Sequence, residues 1–346
     1  METIIINASD DEALKTAAHA LREGQLVAFP TETVYGLGAN ALNPEAVKKI
    51  YEAKGRPSDN PLIVHIAKIS QLNELVSDIP DHAKVLMKAF WPGPLTLVFK
   101  KSDLVPSIIT GGLDTVAVRM PNNPIALKLI EESGVPIAAP SANLSGRPSP
   151  TCADHVAQDL SGRIKYIIDG GSCTVGVEST VLDIISPIPV ILRPGGTTRE
   201  MLEKVVGKVE VDPVLEVQGN VKPRAPGMKY RHYSPKAEMI LVNGEPEKVV
   251  ERINTLTAQR QKEGLLVGVL ASQENADRYK ANVVISAGSI KHLEHVAAEL
   301  FGALRKFDDT KVDIIYSETF CEQGIGQAVM NRLKKASSGK ILEVKG

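Results

Sequence analysis

Two cationic side chains stand one residue apart in the run Lys54-Gly55-Arg56-Pro57-Ser58-Asp59-Asn60-Pro61-Leu62. Gly55 lets the backbone approach an anion closely and Pro57 stiffens the turn, so Lys54 and Arg56 read as a clamp for phosphate oxygens. A second run, Pro140-Ser141-Ala142-Asn143-Leu144-Ser145-Gly146, follows the apolar stretch from Val135 to Ala139. A strand over that stretch would bring the hydroxyls of Ser141 and Ser145 and the amide of Asn143 to its carboxyl end, where ligands of α/β sheets usually bind. Taken alone, the first run reads more often as a solvated turn, and Ser and Asn in the second usually serve turn geometry. Together, and joined by Thr31-Glu32-Thr33-Val34-Tyr35-Gly36-Leu37, they point to a nucleotide gripped without a P-loop. No Gly-x-x-x-x-Gly-Lys-Ser/Thr occurs in the chain,.

Other candidate sites carry less. Gly36-Leu37-Gly38-Ala39-Asn40-Ala41 fits the Gly-x-Gly-x-x-Ala pattern, but six residues separate it from the strand ending at Phe29. The next strand also closes on His65-Ile66 without a carboxylate, so a dinucleotide fold is disfavoured. Gly324-Ile325-Gly326 reads as a close-packing turn before a helix. His292 and His295, three apart without a third ligand nearby, read as exposed helix residues. His65 on an apolar run reads as a core histidine, and Trp91 as packing a helix end. Arg193-Pro194-Gly195-Gly196-Thr197-Thr198-Arg199 is equally a turn or an anion site at a helix start.

The elements that must hold these residues alternate along the chain. At 346 residues, two domains are expected. A composition 43% hydrophobic and 23% charged is globular rather than disordered,. The net charge of −1 gives no bulk basicity for avid nucleic-acid binding,. Cys152, Cys173 and Cys321 form no Cys-x-x-Cys and are expected as buried free thiols. No basic leader or membrane-length apolar run is seen, so a cytoplasmic protein with no membrane association is expected.

Strand-like runs at 4–6, 26–29, 62–66, 95–99, 115–120, 135–139, 166–168, 180–184 and 189–192 are separated by helical patterns at 44–53, 81–90, 123–133 and 198–206. A first helix is expected after Ser9-Asp10-Asp11-Glu12. From Asp212 to Pro235 the rhythm breaks with five prolines or glycines before the last proline. Lys222, Arg224, Lys229 and Arg231 there outnumber Asp212 and Glu216. This stretch reads as a linker. Strands at 239–242, 265–270, 283–285 and 312–316, with helices near 247–260, 290–307 and 326–336, then describe a small Rossmann-like α/β domain.

The run Phe29-Pro30-Thr31-Glu32-Thr33-Val34-Tyr35-Gly36-Leu37, the Lys-x-Arg with Asn60-Pro61-Leu62, and the Ser-x-Asn with Ser145-Gly146 resemble the YrdC-like family. Within it the chain is similar to the long-form threonylcarbamoyl-AMP synthases. The motifs cover residues 3–236. The resemblance implies an α/β fold: a YrdC-like twisted mixed sheet with a concave active-site surface over 1–211, a linker crossing that site at 212–236, and the Rossmann-like domain at 237–346. It implies formation of threonylcarbamoyl-AMP and pyrophosphate from L-threonine, bicarbonate or CO2, and ATP, with Mg2+. The product would pass to the machinery that makes threonylcarbamoyladenosine in tRNA.

Carried over by motif, Lys54, Arg56, Ser141 and Asn143 would be catalytic. Asn60, Thr115, Ser149, Arg193 and Tyr233 would join them around ATP. Thr33, His65, Arg119, Ala139 and Ser179 would line the threonine pocket, Arg119 holding the carboxylate. Two other classes remain open: a YrdC-like module that chiefly binds RNA, although stable RNA binding is not expected from the balanced charge, and an enzyme that carbamoylates another acceptor.

Overall fold

The computed structural model describes residues 1–213 and 233–344. Within them, one compact unit holds Met1–Ser145, Ser149–Thr174 and 178–213. A second holds Gly146–Pro148, Val175–Val177 and 233–344.

Eleven strands form the sheet of the first unit: β1 (Ile4–Asn7), β2 (Val27–Phe29), β3 (Gly36–Asn40), β4 (Ile63–His65), β5 (Leu95–Lys100), β6 (Thr115–Arg119), β7 (Ile137–Ala138), β8 (Tyr166–Asp169), β9 (Thr180–Asp183), β10 (Val190–Arg193) and β11 (Glu210–Val211). Their order is β1-β8-β2-β3-β7-β4-β6-β5-β9-β10-β11, with parallel and antiparallel pairs mixed. The helices are α1 (Asp11–Arg22), α2 (Pro44–Lys54), α3 (Leu72–Leu75), α4 (Asp81–Phe90), α5 (Ser107–Thr110), α6 (Pro124–Ser133), α7 (Ala153–Leu160) and α8 (Arg199–Val206).

Local chemistry sets their ends. The side chains of Asp10, Asn43 and Asn123 each accept two backbone N–H groups at the starts of α1, α2 and α6. Pro44 and Pro124 open their helices where no N–H is missed. One sheet face buries Leu37, Val64, Leu97, Val118 and Leu182 under α2, α4, α7 and α8. On the other face, α1 and α6 cover Val27, Phe29, Ile137 and Ala139. Farther across, that face carries Ile63, Val98, Ala117 and Val181.

Most expected elements are present. Gly36–Asn40, whose glycine pattern was disfavoured as a dinucleotide turn, is a further strand, β3, paired antiparallel with β2. A Cβ on Gly38 would lie 2.9 Å from both Ile137 Cγ2 and the Phe29 ring. The glycine therefore admits the Phe29 ring onto the sheet and does not open a nucleotide loop. Helices α3, α5 and α7 and the margin strand β11 have no counterpart among the expected elements.

The second unit has a five-stranded sheet in which every pair is parallel, ordered β14-β13-β15-β12-β16. Its strands are β12 (Glu238–Asn243), β13 (Val267–Ala271), β14 (Val283–Ser286), β15 (Ile314–Glu318) and β16 (Ile341–Glu343), with helices α9 (Pro246–Lys262), α10 (Leu293–Asp308) and α11 (Gly326–Ala336). This is the expected Rossmann-like pattern. The turn before α11 packs tightly, because a Cβ on Gly326 would lie 1.9 Å from the Cys321 carbonyl oxygen. His292 and His295 are exposed, as expected. Cys152 is half-buried and Cys173 buried; Cys321 is exposed, against expectation, because it lies in the loop between β15 and α11. Among the described residues, no helix is long and apolar enough to cross a membrane.

Candidate active site

Strand alternation builds one half of the site. Burying Val64, Leu97 and Val118 in the main core turns their neighbours His65, Thr96 and Arg119 to the opposite face. Register then groups them, because Arg119 of β6 is the direct partner of both His65 in β4 and Thr96 in β5.

The Arg119 guanidinium is buried and oriented from several sides. Its Nε donates to the Gly93 carbonyl at 3.2 Å and its Nη1 to Thr33 Oγ1 at 2.8 Å. Its Nη2 lies 2.6 Å from Glu32 Oε1. Proton accounting orients the threonines. Thr31 Oγ1 donates to the Val34 carbonyl at 2.6 Å, so the Thr33 hydroxyl, accepting from Arg119, donates to Thr31 Oγ1 at 2.9 Å,.

Across β5, Thr96 Oγ1 and Ser179 Oγ are 2.7 Å apart. Arg193 at the end of β10 reaches the same residue: its Nη2 donates to the Ser179 carbonyl at 2.9 Å and lies 3.2 Å from Ser179 Oγ. The glycines after Arg193 serve packing. A Cβ on Gly195 would meet the backbone of Glu178, Ser179 and Thr180 at 2.3–2.4 Å, so the turn is held against the segment that presents Ser179.

His65 is fully enclosed, and its Nδ1 has no hydrogen-bond partner among the described residues. Burial, helped by the nearby Arg119 charge, pushes its pKa down to about 3, so the ring is neutral at physiological pH,. Ala139 continues the same face from Ile137, and its N–H donates to the Ile63 carbonyl at 2.9 Å.

The phosphate-clamp residues form the other half. Helix α2 ends on Lys54, and the chain turns at Gly55 in the left-handed region (φ 61°), which carries Arg56 past the helix end,. Lys54 is 2% exposed. Its Nζ donates at 2.5 Å to the carbonyls of both Ser141 and Asn143. The lysine therefore ties the end of α2 to the Ser-x-Asn loop, a role the sequence did not suggest. Ser141 Oγ donates to Asn143 Oδ1 at 2.5 Å.

Arg56 is half-buried, and its Nη2 donates to the Pro61 carbonyl at 3.2 Å. Tyr51 steadies the same turn, its hydroxyl 3.1 Å from the Asn60 carbonyl and 3.0 Å from that of Ile108. Burial pushes the Tyr51 pKa up to about 12, so it remains a donor. The Asn60 side chain is fully buried, and neither amide atom has a hydrogen-bond partner among the described residues. Thr115 opens β6 two residues before Ala117 and so shares the face of Arg119. Ser149 Oγ donates to Glu178 Oε1 at 2.5 Å, next to Ser179 in the chain.

Hydrogen bonds and register thus join Thr33, His65, Arg119, Ser179 and Arg193 in one group, and Lys54, Ser141 and Asn143 in another; both lie in the first unit. Tyr233 belongs to the second unit, where its ring stacks on Phe301 with centroids 5.2 Å apart and the Arg332 guanidinium lies 5.8 Å from its centroid. The rest of the expected strap, residues 214–232 with Lys222, Arg224, Lys229 and Arg231, lies outside the described residues. Sequence reasoning missed Tyr51, Thr96 and Glu178, and gave Glu32 no role. Thr96 was discoverable, since it alternates with core residues on the strand beside Arg119.

A family model described as "telomere recombination" (Sua5, YciO and YrdC) matches residues 19–195. A second, described as the C-terminal domain of threonylcarbamoyl-AMP synthase, matches residues 197–338. The threonylcarbamoyl-AMP synthase of Bacillus subtilis is 57% identical over 96% of this chain and 95% of its own length. The crystal structure of Pyrococcus abyssi Sua5 complexed with L-threonine superposes with a TM-score of 0.95 at 55% identity, covering 99% of this chain and 100% of that one. A putative threonylcarbamoyl-AMP synthase of Mycobacterium tuberculosis is 38% identical over 56% of this chain and 88% of its own length.

Proposed function

Because the chain belongs to the Sua5, YciO and YrdC family of threonylcarbamoyl-AMP synthases, we propose that it forms threonylcarbamoyl-AMP at the two residue groups of its first unit. The product serves threonylcarbamoyladenosine formation in tRNA. The observation that carries the assignment is the joining of Lys54, Ser141 and Asn143 by hydrogen bonds in the same unit that gathers Arg119, Thr33 and Ser179. One group fixes the Ser-x-Asn loop beside the turn that carries Arg56, for phosphate; the other offers a buried guanidinium to a carboxylate.

The reaction needs little covalent help from side chains. Threonine's nitrogen takes up CO2, supplied as bicarbonate, to become a carbamate, and a carbamate oxygen displaces pyrophosphate from the α-phosphorus of ATP. Charge builds on the departing oxygens, so rate depends on positioning and on nearby cations. Arg56 supplies that charge, while Lys54 holds the Ser141–Asn143 loop in place for the nucleotide. Asn60, whose side-chain amide has no hydrogen-bond partner among the described residues, Thr115, Ser149 and Arg193 complete the ATP contacts. Thr33, neutral His65, Arg119, Ala139 and Ser179 receive threonine. Residues 1–211 are proposed as the catalytic domain and 237–346 as the second domain.

Magnesium would neutralise phosphate charge. Among the described residues, no group of three or more His, Cys, Asp or Glu side chains could hold a metal. That donor set suits an ion carried on the triphosphate with its waters better than a protein cage. The test is AMP-forming cleavage of ATP, read as pyrophosphate release, with threonine and bicarbonate omitted in turn. Release should require both; release that persists without threonine would overturn the assignment.

A further inference from the structure

Glu32 stands in the loop between β2 and β3, between two threonines whose hydroxyls are fully engaged. It is buried and faces the buried Arg119 guanidinium at 2.6 Å. A salt bridge that served only the fold would be expected to satisfy its own hydrogen-bonding groups, because removing two charges from water costs several kcal/mol per ion. This one does not. Neither Glu32 oxygen has a hydrogen-bond partner among the described residues, and Arg119 Nη2 has none either, the close approach to Glu32 being misaligned for a bond. The other arms of Arg119 are committed to Gly93 and Thr33. What is left is an ion pair through Oε1 without an aligned hydrogen bond, and a second carboxylate oxygen, Oε2, with no hydrogen-bond partner among the described residues, both out of water.

A ligand that answers both needs at once carries an ammonium and a carboxylate a few bonds apart. That is the backbone of an α-amino acid. We propose that Glu32 is a substrate-contacting residue that accepts N–H groups from threonine's α-amino nitrogen, while Arg119 Nη2 donates to its carboxylate. The inference rests on the assignment of this pocket to threonine. It adds a residue that reads the amine, the atom that must take up CO2. Thr33, oriented by Arg119, lies next in the chain. Glu32 thereby selects amino acids over hydroxy acids of the same shape.

The experiment measures binding calorimetrically with the full chain, comparing L-threonine with (2S,3R)-2,3-dihydroxybutanoate, in which a hydroxyl replaces the amine. The wild type should prefer threonine by about tenfold or more, the size expected of one charge-assisted hydrogen bond. Glu32→Gln should shrink that preference to about threefold or less, and Glu32→Asp should fall between. If Glu32 merely holds Arg119, the substitutions weaken both ligands alike and the preference stays at its wild-type value, which would overturn the inference. Should Glu32→Gln fail to fold, Glu32→Asp decides by the same ratio. A wild type that binds neither ligand would remove the threonine pocket itself, and the inference with it.

Discussion

Lys54 and Arg56 differ in burial, and that difference predicts distinct consequences of removing each. Lys54 donates two short hydrogen bonds to backbone carbonyls, and each charged hydrogen bond is worth roughly 1.5–3 kcal/mol. Lys54→Met should therefore lower both turnover and the urea midpoint of unfolding. Arg56 is half-buried on a turn, so Arg56→Ala should lower pyrophosphate release by about a hundredfold or more, the scale of losing one transition-state contact, while threonine affinity changes little. An unchanged rate would remove Arg56 from the site.

His65 yields a pH prediction. Its folded pKa, about 3, lies below the unfolded value near 6.5, so between those limits the unfolded chain binds a proton that the folded one does not. Stability should fall as pH drops through that window, by about 1.4 kcal/mol per unit from this residue. The difference in unfolding free energy between wild type and His65→Gln, followed from pH 7 to 4, should narrow toward acid; parallel curves would contradict a buried neutral ring. At this scale the sequence was informative about residue types. It was uninformative about partners, because bonds such as Lys54 to Ser141 span 87 positions and depend on the tertiary fold.

Among the elements, helix starts were the most legible. Asp10, Asn43, Asn123 and Thr198 each bond to backbone N–H groups at a helix start, which is local chemistry written in adjacent residues. Strand β3 was not legible, because Gly36-Leu37-Gly38 carries little strand propensity, and its pairing with β2 and β7 depends on distant side chains. The Phe29 ring against Gly38 is the reason for glycine there. Gly38→Ala should destabilise the protein by about 1–3 kcal/mol, the usual cost of crowding a packed interior, read as a lower urea midpoint. A neutral result would mean that Phe29 and Ile137 can move aside.

For the molecule as a whole, the matching of both families' domains along one chain leads to a truncation prediction. Removing Asp212 onward should leave the first unit's own core in place, since its clusters draw on residues before 212. It should nevertheless reduce threonylcarbamoyl-AMP formation by at least tenfold, an order-of-magnitude expectation if the removed segment helps exclude water from the reaction. Full activity of residues 1–211 would show that the remainder is dispensable for chemistry. The break in rhythm after Asp212 was the sequence's own signal of a change in organisation. The strand order was not, since neighbours in the sheet are often far apart in sequence.

That ordering has a consequence during synthesis. Among the described residues, strand β1 pairs only with β8, and β8 also separates β1 from β2. While the chain is emerging from the ribosome, its first strand has no lateral neighbour until Tyr166–Asp169 has been translated. The amino-terminal segment must wait through most of the first unit's production, so nascent chains halted before that point should be cut readily by proteases near Ile4–Asn7,.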